Sequence, residues 1–518
     1  MSNSLKKGQF SWKWVVILFL LIGEISFYPS LLLGYIFFTE FTINFNKLVD
    51  IVITLLFFIS NYFLILFLSL AITIFIIFLI NLKVPPKLGS YENSIDNVDV
   101  YAWRVKNTLR SFSRWLWEMP HLSILRVFYL RRMGIKIGKN VRLGKYILED
   151  DFMEIGDGTF MGKNTIISGH LIDPFKFTVY KTKIGKKCIF GNWTGMVGAD
   201  IGNNSIVLGN LSNTSVGLNG ITCKGNGIYR GMPIKKIGPS NHLSPKQIRN
   251  LKKLIKKQEK LNFYESTLSA IINPGIKTKI KLILGKVFIT FGGVMFAFLI
   301  NFLYIFSIIF FGFPTGDILL DALYLTPIPI IFIVSLGFFI AGTGATTRLL
   351  MAIHHKSAGQ IKEGEYELDD PKLKSWKTVY LWKQFSLDLT HKTPLGYGDT
   401  LILQTYLCKI NRNVQMTKAL VDPEFLNIGI DSQCAAFAII RSHYIQDRKI
   451  IFKRTEIGKN VMIGSLAYIG AGAKIGDNSV VGIGAYIPEN AICEPNSLFI
   501  GNPARRLPLS LINNQVKK

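Results

Sequence analysis

The sequence predicts a membrane protein with two parallel β-helix domains, each preceded by a two-helix transmembrane hairpin. Three observations carry this: a six-residue aliphatic period, four long apolar runs, and an internal repeat. From Ile457 a branched aliphatic residue falls on every sixth position, through Ile463, Ile469, Ile475, Val481 and Ile487. Gly follows at 458, 464, 470, 476 and 482. A helix wants apolar spacings of three and four, and a plain strand wants two. A strict six fits neither. It fits a triangular coil in which each hexad makes one face and three hexads complete a turn. The aliphatic side chain points inward, and Gly lets the chain bend at the corners.

The apolar runs come in pairs. Trp14 to Phe38 is apolar but for Glu24, and Ile51 to Leu82 carries no charge. Ile283 to Phe313 is a third run, and Ile318 to Ala345, with Asp321 near its start, a fourth. Each exceeds the ~20 residues that span a hydrocarbon core. Basic residues flank the outer ends: Lys6, Lys7 and Lys13 before the first run, Lys83 and Lys87 after the second, Lys277, Lys279 and Lys281 before the third. By the positive-inside rule both termini and both soluble stretches face the cytoplasm, from a multi-pass position in the inner membrane. Membrane flanks thus account for much of the net charge of +27. No aromatic stacking platform accompanies the basic residues, so a nucleic-acid partner is not expected. The five Cys at 188, 223, 408, 434 and 493 lack paired metal spacing and read as free thiols; no metal is expected.

The second soluble stretch repeats the first at one constant offset. Trp103, Ile137, Asn140 and His170 match Trp376, Ile410, Asn413 and His443. The expected organisation is a first hairpin (1–83), a first β-helix with a leading interfacial helix (84–240), a basic helical linker (241–280), a second hairpin (281–350) and a second β-helix with its own leading helix (351–518). In the leading helices Trp103, Leu109, Phe112 and Leu116 form an apolar face suited to the headgroup layer. Packing against the end of the coil accounts for it equally well.

Both coils lose the six-phase at the same two places. Glu149 and Asp422 occupy apolar slots, and a local bulge that carries the acid outward is expected. The phase slips again between Ile167 and Ile184, and between Ile440 and Ile457. A loop leaving the coil is expected there, with His170 or His443 at its root. Imidazole is a natural base near neutral pH, so these matched His residues are the catalytic candidates. Glu149, Asp151 and Asp173 in the first copy, and Asp422, Glu424 and Asp447 in the second, are the acids that would fix the ring tautomer.

The Ile-Gly hexads, Ser168-Gly169-His170 and Gly501-Asn502-Pro503-Ala504 resemble the hexapeptide-repeat acyltransferases, which are left-handed β-helix enzymes. The resemblance implies a general-base role for His170 and His443. It also implies an acyl thioester of coenzyme A as donor, and donor contacts at Gly501, Asn502, Pro503, Ala504, Arg505 and Arg506. The alternation of hairpins and β-helices is similar to the C-terminal membrane region of the ε-poly-lysine synthetase (Pls) type of non-ribosomal peptide synthetase. Ser442 to Arg448 is similar to its His-x-x-x-Asp-Arg segment. That likeness implies amide-bond formation from an aminoacyl group on a phosphopantetheine carrier, with a separate adenylation and carrier protein as partner. No tightly bound cofactor is implied, and a site completed by homo-oligomerisation is compatible. The rival readings are an acetyl-CoA-dependent O-acetyltransferase of a membrane-associated glycan and a non-catalytic scaffold for a peptide synthetase.

Overall fold

The computed structural model describes residues 12–508 apart from short breaks, the widest at 41–47, 209–221 and 260–275. Ten helices are used below: α1 (Trp12–Glu40), α2 (Leu48–Lys83), α3 (Val98–Glu118), α4 (Ser123–Arg132), α5 (Pro245–Glu259), α6 (Ile276–Phe310), α7 (Ile318–Leu325), α8 (Ile328–Ala358), α9 (Pro371–His391) and α10 (Gly398–Thr405). Contacts divide the chain into two compact units: residues 1–87, 91–133 and 294–339, and residues 88–90, 134–293 and 340–518.

In the first unit, α1 and α2 run as a hairpin. Asn61 Nδ2 donates to Ser30 O (2.9 Å), and Phe37 stacks on Phe57 with ring centres 4.0 Å apart. The stretches 20–39, 48–83, 278–310 and 319–358 are long and apolar enough to cross a membrane. The run expected as one helix from Ile318 is broken between α7 and α8, where Pro327 has no N–H to continue the ladder. Helix α3 is packed in protein. It lies along α2: Lys106 Nζ donates to Asn81 Oδ1 (3.1 Å), Trp117 Nε1 to Leu66 O (3.0 Å) and Tyr62 OH to Leu116 O (3.1 Å). Its apolar face, including Leu109, Phe112 and Leu116, is buried in protein.

The second unit holds both coils. In the C-terminal coil, parallel strands stack in three sheets, and the inward residues align in register. One column is Ile410, Ile428, Ile457, Ile475 and Cys493. A second is Met416, Cys434, Ile463, Val481 and Phe499. The third is Val421, Ile440, Ile469 and Ile487. Successive hexads therefore fall on successive faces, as the period requires. Corners bring backbones together; a Cβ on Gly464 would stand 2.6 Å from the amide of Ile483. The N-terminal coil has the same three-sheet plan, with Ile155 over Ile184 over Ile201 in one column. Helix α5 packs Ile255 against its outer wall at Phe160, Ile189 and Ile206, so this helix is more than a solvated linker.

The coils touch. Ile166 of the first packs against Phe437 and Leu466 of the second. Both of these are corner residues with left-handed backbones, φ 62° and 59°. That region is sterically costly for a side chain, and burial at this contact opposes the cost. All five cysteines are free and buried.

Candidate active site

The phase slip is a β-hairpin. Residues His443–Gln446 pair antiparallel with Lys449–Phe452, and His443 stands opposite Phe452 at the root. Asp447 and Arg448, both with positive φ (47° and 61°), form the tip. This is the backbone of a two-residue hairpin turn. A third strand, Gly364–Glu367, pairs on the far side of Lys449–Phe452 and ties the hairpin to the segment leading into α9.

Helix α9 starts with Asp370 as cap, accepting from Lys372 N (2.8 Å), and Pro371 in the first turn. The cap suits an orphan amide, and proline suits the first position. The helix then buries Leu373, Trp376, Tyr380 and Leu381 against Phe425, Ile450 and Phe452 of the coil. For this copy, packing against the coil replaces the headgroup layer. The His443 ring is boxed by Trp376 (5.0 Å between ring centres), Phe452 (5.9 Å) and Tyr380 (6.1 Å).

Asp422 is the acid that meets this ring. His443 Nδ1 lies 2.7 Å from Asp422 Oδ2, a charge-assisted contact whose angle falls short of an ideal hydrogen bond. The carboxylate also accepts from Arg441 Nη1 (3.1 Å), Tyr380 OH (3.2 Å) and Ser442 N (3.0 Å). The expected bulge is real but incomplete. Val421 takes the inward slot, yet Asp422 is 1 % exposed and not carried to the surface. Its four neighbours make that burial tolerable. Burial alone would push the carboxyl pKa up. The charges of His443 and Arg441, with the Ser442 amide, outweigh it and hold the pKa below the ordinary carboxylate range.

A carboxyl depressed in the folded state contributes stability that is present above its unfolded value, about 4, and is lost only as pH falls through the lower folded value. Asp422 should therefore remain ionised at about pH 5. The infrared carboxylate band that Asp422→Asn removes should have the same intensity at pH 5 and pH 7, and a band that fades over this interval would contradict the assignment.

Nδ1 faces the acid, which leaves Nε2 as the nitrogen able to take a proton. In the coil sheet whose strand Ile439–Ile440 leads to His443, the next two rungs carry Tyr468 and Tyr486 beside the inward Ile469 and Ile487, their rings stacked at 5.1 Å. Both hydroxyls reach Glu489, at 3.4 and 3.2 Å. Tyr486 N donates to Gly501 O (3.0 Å) and Ala504 N to Tyr486 O (2.8 Å), so the closing turn is bonded to the foot of this tyrosine face. Asn502, Pro503 and Arg505 are exposed there. Arg506 is engaged with Glu494 and donates to Ser497 Oγ (2.9 Å).

The repeats in both coils match known families. Residues 454–489 match the bacterial transferase hexapeptide (six repeats), and residues 181–212 the hexapeptide repeat of succinyl-transferase. Both coils therefore carry hexapeptide repeats of the transferase type. Similar solved structures include a maltose O-acetyltransferase from Clostridium difficile 630, at 21% identity over 21% of this chain and 74% of that one, with a TM-score of 0.19. A galactoside acetyltransferase in complex with coenzyme A is 19% identical over 21% and 68%, with a TM-score of 0.15. AntD, an N-acyltransferase from Bacillus cereus in complex with dTDP and 3-hydroxybutyryl-CoA, is 16% identical over 24% and 97%, with a TM-score of 0.16. At such scores these likenesses carry no argument, and the family matches are confined to the repeats. No curated protein matches.

In the first coil, among the described residues, His170 Nδ1 lies 3.1 Å from Ser168 Oγ, and its ring stacks on Phe177 at 5.7 Å. Glu149, Asp173 and the closing residues 231–234 lie outside the described residues. Asp151 is half-buried in the turn before the strand Met153–Ile155. In the second copy Asp447 is exposed at the hairpin tip, roughly 10–13 Å along the strand from His443. It is not the partner of the ring. Glu424 is turned to Lys383 instead, 2.9 Å away, with both side chains buried. Sequence reasoning missed Tyr380, Arg441 and the tyrosine face. Tyr468 and Tyr486 did carry a signal, since each immediately precedes an inward Ile one turn apart. Tyr380 did not: the first copy has Asn107 at its place.

Proposed function

We propose that the chain is a membrane-embedded acyl- or aminoacyltransferase whose working base is His443. In this reading the coils are left-handed and face the cytoplasm. An amine or hydroxyl gives its proton to His443 Nε2 and attacks the carbonyl of a pantetheine thioester. The carbon–sulfur bond breaks, the sulfur takes the proton back from the imidazolium, and an amide or ester and a free thiol leave. Asp422 remains a carboxylate throughout; it fixes the tautomer and stabilises the imidazolium. The observation that supports this most is the buried Asp422 at 2.7 Å from Nδ1, at the root of an open hairpin. The pantetheine arm would lie on Tyr468 and Tyr486 and end at Gly501–Ala504, two to three rungs or roughly 10–15 Å away.

The resemblance to the Pls-type synthetases favours a carrier-bound aminoacyl donor and an amine acceptor. The purified chain in nanodiscs, given acetyl-CoA or an aminoacyl-carrier protein with a panel of amines and alcohols, should release thiol only when an acceptor is present. Release from the carrier alone selects the peptide-forming reading. Release from acetyl-CoA alone selects an acetyltransferase, and release from neither removes the proposal.

A further inference from the structure

Helix α4 turns one side into the first unit and presents the other outward. Its inner side carries Tyr129 and Leu130, 1 % and 0 % exposed, and Tyr129 OH donates to Arg110 O at 3.0 Å. The outer side is Ile124, Val127, Phe128, Arg131 and Arg132, which line a shallow cavity of about 360 Å³. Spacings of three and four put these residues on one face. A solvated helix surface would be polar throughout, yet Ile124 is 75 % exposed.

The neighbours of this face explain it. The Phe128 ring lies 6.2 Å from that of Phe67 on α2. Phe67 is itself 50 % exposed, along with Phe58, Phe63 and Phe75 of the same apolar helix. The outer face of α4 therefore continues the lipid-facing surface of α2 and ends in two guanidiniums, Arg132 lying over the Phe128 ring at 5.2 Å. The basic pair is not a requirement of the repeated architecture: the matching positions in the second copy are Gln404 and Thr405.

We propose that α4 is an interfacial helix, with Arg131 and Arg132 holding the phosphate of an anionic phospholipid headgroup. Ile124, Val127 and Phe128 sit at the acyl boundary beneath it. Two cationic side chains attract an anionic headgroup by charge, and a cationic end on an apolar stripe is the pattern of a helix lying in the interface. The test is native mass spectrometry of the full chain, released from nanodiscs of phosphatidylcholine with or without phosphatidylglycerol. Wild type should retain phosphatidylglycerol preferentially. The pair Arg131→Gln and Arg132→Gln should lower that retention by roughly fivefold per residue. Arg131→Lys with Arg132→Lys should stay within about twofold of wild type, since charge is the main term. A control pair on an exposed basic surface, Lys253→Gln with Lys256→Gln, should change little. Equal retention of neutral and anionic lipid by wild type overturns the proposal. So does a control pair as damaging as the arginine pair, which would mean diffuse charge, or equal loss in the Gln and Lys pairs, which would mean damage to the helix end.

Discussion

Replacing His443 with Ala should lower thioester transfer by about 10²- to 10⁴-fold, the usual worth of a positioned base. The effect should fall on kcat, because the tyrosine face proposed to carry the donor is untouched. His170→Ala should stay within about twofold of wild type. The two His are matched in sequence, but the coil of His443 keeps the stricter six-residue period, and its His stands against a buried carboxylate that also accepts from Arg441, Tyr380 and Ser442. Asp422→Asn should mimic His443→Ala in kcat at neutral pH. An amide in that place no longer fixes which nitrogen carries the proton, and no longer balances the imidazolium. Steady-state rates on the three variants, with melting curves to confirm folding, decide the matter. Full activity in His443→Ala would sink the assignment, and equal losses at both His would assign chemistry to both coils.

The coil was legible because its physics is periodic. Inward aliphatics at every sixth residue predicted the columns through Ile457, Ile463 and Ile469 down to the strand. The four apolar runs were legible by length and composition, though not the break at Pro327 in the fourth. The hairpin was legible as a defect in that period, which is how His443 came to be singled out. What lay between the elements was not. Asp422 read as an intruder in an apolar slot because a one-dimensional pattern cannot show Tyr380 and Arg441 closing over it. Tyr380 comes from a helix more than forty positions upstream, and no period links the two. Likewise α3 and α9 looked interfacial because both are aromatic and basic. In the structure those aromatics are consumed by α2 in one case and by the coil in the other. Helix α4, short and unremarked in the pattern, keeps an apolar face outward.

Glu424 tests the difference between an acid that works and an acid that holds. Its Oε1 lies 2.9 Å from Lys383 Nζ, and the two side chains are 6 % and 4 % exposed. Lys383 also lies 5.9 Å from the Tyr406 ring centre, and Cys408 beside it, buried, has its thiol pKa pushed up to about 12. Such a dry setting makes an unpaired ammonium expensive. Breaking a buried pair by removing one partner costs about 3–5 kcal/mol, whereas replacing both by apolar groups of similar volume is often neutral or stabilising. Glu424→Gln should therefore lower the melting temperature strongly, and Lys383→Met with Glu424→Leu should restore most of it. Activity per folded molecule should survive in the double variant, because neither residue touches the His443 ring. A Glu424→Gln chain that melts like wild type but fails to turn over would return this acid to the chemistry, and the buried pair would then be a feature of the mechanism and not of the scaffold that carries α9 on the coil.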